Sequence, residues 1–375
     1  WAAGNDKLAI SEVNIADKLR PGWELNAILQ GQVLFGQSPD TALDFYRNFL
    51  SQHSEANEVR LSLARTLVNQ KRLGEAKPEF VKLAQASKGN PEILVVVGLL
   101  SFQAGDYTEA EQYFQQVLVT DFRDKDQIYL YLGQAAEKQK KDEQALTWYN
   151  KVEPGERYLD TKFNIAYVLA RTQGTDNAIR MLDDLSDLNN EQLVSVVQTQ
   201  ANLLVQAKRH QEAYDLLDKA IKNLPNTPGI IYDYAMAAEK LEHLDVVERE
   251  LRKLIQLKPD FAQAYNALGY SLADRNIKLD EARTLIEKAL ALSPNDHFIM
   301  DSMGWVQYRL GKLDKAVDYL RRAYNAQTDP EIAAHLGEVL WQQGKREEAL
   351  QIWGEALRNY PDNEVLQSTS KKFKL

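Results

Sequence analysis

AQAYNALGYSLADRNIKLDEARTLIEKALALSPN, residues 262–295, decides the fold. Tyr265, Leu268, Gly269 and Leu272 stand at i, i+3, i+4 and i+7, which is one face of a helix. Ala282, Ile286, Ala289 and Leu290 make a second such face. Pro294 ends that helix, because proline cannot extend the hydrogen-bond ladder and disfavours helix in the residue before it. Gly269 and Ala282 fall where the two helices cross, so the backbones approach closely. A bulkier residue at either point would force the pair apart, at roughly 1–3 kcal/mol.

The pattern recurs along the chain. Its second small position reads Ala42, Ala76, Ala110, Ala145, Ala178, Ala213, Val247, Ala282, Ala316 and Ala349, at spacings of 33 to 35 residues. Its first reads Gln30, Ala64, Gly98, Gly133, Ala166, Ala201, Ala235, Gly269, Gly304 and Gly337, with Gln30 and Val247 as the bulky exceptions. Such a steady period predicts a solenoid, because each helix pair buries its apolar face only by stacking on its neighbours. Ten of the 11 prolines fall in predicted connectors, and Pro78 alone falls inside a helix, near its first turn. Gly105, Gly174, Gly311 and Gly344 occupy the turns between paired helices, where a left-handed residue ends the first helix. The reading is all-α: a right-handed α-solenoid of about ten helix pairs, a superhelix enclosing a groove. Residues 1–22 form a preceding helix with Leu8, Ile15 and Leu19 on its apolar face. Residues 23–361 form the solenoid. Residues 362–375 form a cap sealed by Val365 and Leu366, with a frayed basic end (Lys371, Lys372, Lys374).

This unit resembles the tetratricopeptide repeat through Tyr265, Leu268-Gly269, Ala282, Ala289 and Pro294. The next two units carry Met303-Gly304, Ala316, Leu320 and Ala323, then Leu336-Gly337, Ala349, Trp353, Ala356 and Pro361. The stretch 297–357 is similar in particular to the C-terminal repeats of proteobacterial tetratricopeptide outer-membrane lipoproteins. Asp301-Ser302-Met303-Gly304-Trp305, Leu320-Arg321-Arg322-Ala323-Tyr324 and His335-Leu336-Gly337-Glu338-Val339-Leu340-Trp341 carry that similarity. It implies a periplasmic adaptor that holds a carboxyl-terminal processing protease and presents substrates, chiefly peptidoglycan cross-link hydrolases. It also implies a lipid anchor on an N-terminal cysteine. The chain begins at Trp1 and has 0 cysteines, so the anchor is expected in a missing N-terminal segment. The alternative on the same fold is an assembly module for envelope lipopolysaccharide or polysaccharide export.

Chemistry is absent from the pattern. The chain has no phosphate loop, no dinucleotide glycine motif, no HExxH and no GxSxG, so no enzyme, cofactor or metal is expected. His53, His210, His243, His297 and His335 fall at unrelated repeat positions and read as surface or packing residues. A net charge of -9 with no basic stripe argues against nucleic acid. The longest apolar run, residues 93–100, is too short to span a bilayer.

Protein partners remain. Positions flanking the small residue of each first helix are expected to line the concave groove. They place Leu99, Phe102, Phe163, Tyr167, Tyr232, Met236, Tyr270, Trp305, Tyr308 and Trp341 there, interleaved with polar Arg171, Asn202 and Arg309. Large aromatics beside amides and charges suit an extended polypeptide. No lysine stands three residues before a small position, so a clamp for a terminal carboxylate is not expected.

Overall fold

The computed structural model describes residues 6–373 apart from Lys88. Residues 1–5 of the expected first helix and Lys374 of the basic tail lie outside the described residues. Among the described residues there are 22 helices and no strand. They form two compact units, Trp1–Asp184 and Leu185–Leu375.

In the first unit, α1 (Asp6–Leu19) precedes α2 (Glu24–Gln37) and α3 (Pro39–Gln52). Then come the pairs α4 (Asn57–Asn69) with α5 (Leu73–Ala86), and α6 (Pro91–Gln103) with α7 (Tyr107–Leu118). The pairs α8 (Lys125–Lys138) with α9 (Asp142–Tyr149), and α10 (Tyr158–Gln173) with α11 (Thr175–Asp183), complete it. The second unit opens with α12 (Asn190–Gln206) and α13 (His210–Asn223), then α14 (Pro228–Lys240) and α15 (Leu244–Leu257). It continues through α16 (Ala262–Asp274) with α17 (Leu279–Leu292), and α18 (His297–Arg309) with α19 (Leu313–Ala326). It closes with α20 (Pro330–Gln342), α21 (Arg346–Asn359) and α22 (Glu364–Phe373). Within each unit every helix packs on the one before it and the one after it. First helices of neighbouring pairs also meet directly, as α2 does α4, α12 does α14, and α18 does both α16 and α20.

The starts of the helices are written locally. Pro39, Pro91, Pro228 and Pro330 stand in the first turn of α3, α6, α14 and α20, where a missing N–H costs nothing. Asn90, Asp124, Asp296 and Asp329 accept from backbone N–H groups two or three residues on, and Asn189 forms a full capping box with Gln192. Pro78 departs from its expected place. It is the sixth residue of α5, within the helix rather than in its first turn, and the carbonyl that loses its donor belongs to exposed Gly74.

Two devices fix the pairs. The first is a lock between small and large residues. Each small residue of a first helix is met 15 to 17 positions later by a buried large one: Tyr46, Phe80, Phe114, Tyr149, Leu182, Leu217, Leu251, Ile286, Leu320 and Trp353. A methyl built on Gly133 would sit 2.2 Å from the Tyr149 ring, and one on Gly337 would sit 2.1 Å from Trp353 Nε1. In the first pair the small residue is Gly31, not the expected Gln30: a methyl there would strike Tyr46 at 2.1 Å. The register moves because only Ser38 separates α2 from α3.

The second device is a positive φ in the turn of every later pair. Gly105, Gly174, Gly311 and Gly344 have φ of 84°, 95°, 74° and 87°. Lys71, Lys140, Lys208, Glu242 and Asn276 hold φ between 57° and 60° at the equivalent places. The backbone requirement is thus general, and five of the nine turns meet it without glycine, at about 1–2 kcal/mol each. The extra residue between α16 and α17 is absorbed by a second left-handed residue, Lys278, at φ 46°.

The ends differ from expectation. Leu8, Ile15 and Leu19 are exposed on α1; the helix is attached instead through buried Val13, whose carbonyl accepts from Asn26 Nδ2 at 2.9 Å. At the other end Leu366 is buried as a seal, and α22 runs to Phe373 with Lys372 paired to Glu338 at 2.7 Å rather than frayed.

Candidate protein-binding faces

In the first unit the first-helix residues stay largely open. Leu99 is 37% exposed, and Phe102, Phe163 and Tyr167 are half-buried. Phe102 meets Tyr107 edge-on, with ring centroids 5.2 Å apart. Arg171 is exposed but not free. Its guanidinium bridges Asp142 at 2.5 Å and Glu137 at 2.9 Å, and those hydrogen bonds hold its pKa above the ordinary arginine value. Glu137 in turn accepts from the Tyr149 hydroxyl. Around these groups lies a cavity of about 470 Å³ lined by Phe102, Gln134, Glu137, Lys138, Asn164 and Arg171. A second, of about 520 Å³, is walled by apolar Leu61, Val68, Ile93 and Val96 with Arg65 at its side. Apolar walls with a few polar groups are what a peptide side chain requires.

The second unit divides sharply. Asn202 is exposed and Met236 half-buried; both line a smaller cavity of about 150 Å³ between α12 and α14. Tyr232 is half-buried against Phe261, with centroids 5.6 Å apart, and burial raises its pKa. Further along, the expected groove residues contact one another and their neighbours, and Trp305 is buried. Trp305 is only 5% exposed. Its ring stacks on His335 at 4.2 Å, its N–H donates to Asp274 Oδ1 at 3.1 Å, and Arg309 covers it at 4.8 Å. Arg309 is held there by the Asp274 carbonyl at 2.8 Å. Tyr270 reaches across two repeats to lie 6.1 Å from the His335 ring, and burial drives its pKa upward. Tyr308 donates to Glu338 at 3.2 Å.

Trp341 is likewise spoken for. It lies 5.9 Å from Trp353 and 5.5 Å from Phe373, between α21 and the terminal helix, with Arg346 over its face at 5.0 Å. Trp305 is therefore interior packing, contrary to expectation, while Trp341 is half-buried against its aromatic neighbours. A large flat ring is worth more buried against its neighbours than left to water.

Sequence reasoning missed the group beneath Trp305. His335 Nδ1 stands 3.0 and 2.9 Å from the two oxygens of Asp301, and both side chains are buried. Burial pushes the imidazolium pKa down, but the charge and hydrogen bond of Asp301, with Glu331 and Asp274 beyond, outweigh it and leave it raised. The spacing of 34 residues was the available signal, since it puts the two on adjacent first helices. Asp233 of α14, which faces the smaller cavity, was missed as well. Among the described residues no cluster of metal-ligating side chains occurs, and no helix is long and apolar enough to cross a membrane.

Comparison with known proteins agrees with this geometry. The chain is 38% identical over 213 residues to the TPR repeat-containing protein PA4667 of Pseudomonas aeruginosa, covering 57% of this chain and 36% of that protein. It is 27% identical over 126 residues to the mitochondrial import receptor subunit TOM70 of Rattus norvegicus, covering 34% of this chain and 21% of the receptor. The chain thus spans about a third or less of the length of these curated relatives. Among solved structures, TTC0263, a thermophilic TPR protein of Thermus thermophilus, is similar at 24% identity. The TM-score is 0.45, covering 48% of this chain and 100% of that one. The tetratricopeptide repeat model matches residues 97–157, 232–297 and 302–364, about half of the sequence. Helix pairs locked at a 34-residue period and the match of the repeat model over about half of the sequence place this chain in the tetratricopeptide repeat family, a family of protein-interaction scaffolds.

Proposed function

We propose that the chain is a non-enzymatic adaptor of the LbcA type. It would hold the carboxyl-terminal processing protease CtpA in the periplasm and present substrates such as peptidoglycan cross-link hydrolases. An N-terminal lipid anchor outside the present sequence would tether it to the outer membrane. The observation that carries the reading is the pair of open cavities in the first unit, about 470 and 520 Å³, framed by half-buried aromatic and aliphatic side chains. The 38% identity to a TPR protein of Pseudomonas aeruginosa supports a protein-interaction role, and the bacterial-envelope assignment rests on the resemblance carried by the Asp301–Trp305 and His335–Trp341 segments. Such an adaptor accelerates cleavage by raising the local concentration of enzyme and substrate, without touching the chemistry.

The test combines capture and turnover. Purified chain, extended to its natural N-terminus, is expected to retain the processing protease on an affinity matrix and to speed its cleavage of a cross-link hydrolase. Capture without acceleration, or neither, would refute the reading.

A further inference from the structure

We propose that the cavity between α12 and α14 receives a lysine side chain of a bound polypeptide, its ammonium docking on Asp233. The inference rests on the protein-binding reading and narrows it for the second unit.

The cavity, about 150 Å³, is lined by Gln198, Asn202 and Val205 of α12 and by Asp233, Met236 and Lys240 of α14. Asp233 is half-buried. Gln198 Nε2 donates to its Oδ2 at 2.6 Å, which orients the carboxylate and leaves Oδ1 as an acceptor. No cation lies within ion-pairing distance of it among the described residues. Elsewhere on first helices, half-buried Glu137, Glu239 and Glu338 each hold one: Arg171, Arg275 and Lys372. Half-buried Asp126 and Asp296 hold none, but each accepts from backbone N–H groups at a helix end. Half-buried Asp233 instead faces a cavity with no cation beside it, and burial pushes its pKa up. An incoming ammonium would favour the ionised form.

Charge and lining select the side chain. Lysine presents a compact ammonium that one half-engaged carboxylate can take up, whereas the planar fork of arginine asks for a second coplanar acceptor pair that this carboxylate does not offer. Val205 and Met236 provide an apolar wall for the methylene stem, and the exposed Asn202 amide adds an acceptor near the head. Lys240, which also lines the cavity, lies two helical turns from Asp233, toward Glu364 of α22, which is paired with Lys208.

Met236 supplies the reporter, since the chain has 4 methionines and methyl-labelled protein gives a short, assignable spectrum (Met236→Leu identifies the signal). A blocked five-residue peptide with a central lysine among alanines is titrated into the chain, beside versions carrying norleucine and arginine. The lysine peptide is expected to shift the Met236 methyl saturably, with a Kd of about 1 mM or tighter. The norleucine peptide, and the lysine peptide on Asp233→Asn, are expected to bind at least about tenfold more weakly. Equal response to norleucine, tighter binding of arginine, or no Met236 shift would each overturn the proposal, and all three are read on the unaltered chain. A protease captured normally by Asp233→Asn, alongside a negative peptide titration, would sink the lysine site and leave the adaptor reading standing. A positive titration without protease capture would do the reverse.

Discussion

Adding a methyl group at Gly337 sets two effects of opposite sign against each other. In an open helix, Gly→Ala stabilises by about 1 kcal/mol, because alanine loses less backbone freedom on folding. At this position the new Cβ would lie 2.1 Å from Trp353 Nε1 and 2.3 Å from Cε2. The ring has nowhere to go. Trp353 is fully buried, its N–H donates to the Ala334 carbonyl at 3.3 Å, and Phe373 stacks on it at 4.9 Å. The α20–α21 pair must therefore spread, at the upper end of the overpacking range, about 3 kcal/mol. Net destabilisation of about 2 kcal/mol is expected for Gly337→Ala. Gly354→Ala, whose added methyl would meet nothing nearer than 3.7 Å, should instead stabilise by about 0.5–1 kcal/mol. Urea unfolding followed by circular dichroism, compared at constant m-value, reads both. Trp353→Leu opens space for the methyl, so Gly337→Ala in that background should cost about 2 kcal/mol less than alone. A Gly337→Ala chain as stable as the parent would refute the locked crossing.

Three further outcomes are expected. Glu242→Gly relieves a φ of 60° and should raise the unfolding midpoint by the equivalent of about 0.5–1 kcal/mol, whereas Gly311→Ala, at φ 74°, should lower it by about as much. Because the His335 pKa is raised in the folded chain, its stabilisation is fully present below the unfolded value of about 6.5 and is lost as pH rises through the folded one. Asp301→Asn removes the charge that raises the pKa and leaves the burial that lowers it, so the fall in stability between about pH 5.5 and pH 8.5 in thermal melts should shrink or reverse; an unchanged difference would exclude this pair as its source. Phe373→Ala uncovers Trp341 and Trp353 and should cost about 1–2 kcal/mol, with red-shifted tryptophan fluorescence; unshifted emission would mean that α22 does not cover them.

The repeat was legible because its determinants are local. A small residue, a turn and a large residue 15 to 17 positions on lie within one helix pair, so each copy repeats the same message. Even so, the left-handed turn is legible only where glycine marks it. Lys71, Lys140, Lys208, Glu242 and Asn276 adopt the same backbone and carry no sequence mark, because the helix pair imposes the conformation on whatever residue stands there. Periodicity points to Gln30 rather than Gly31 for a similar reason: a one-residue connector shifts the register, and a period alone does not count the residues in a turn.

The candidate faces were legible only in part. Phe102, Phe163, Tyr167 and Trp341 stand half-buried where expected, while Trp305 at a comparable position is packed away. Nothing near Trp305 in the sequence announces this. Its covering partners are His335 on the next first helix and Asp274 on the previous one, and Tyr270 closes on His335 from 65 positions away. The sequence by itself determined the helices, their pairing and the lock at each crossing, because those depend on contacts within about one turn-and-return of chain. Which first-helix side chains meet water was decided by the tertiary structure alone. That outcome follows from contacts between neighbouring pairs, such as those of Trp305 with Asp274 and His335, which no single repeat encodes.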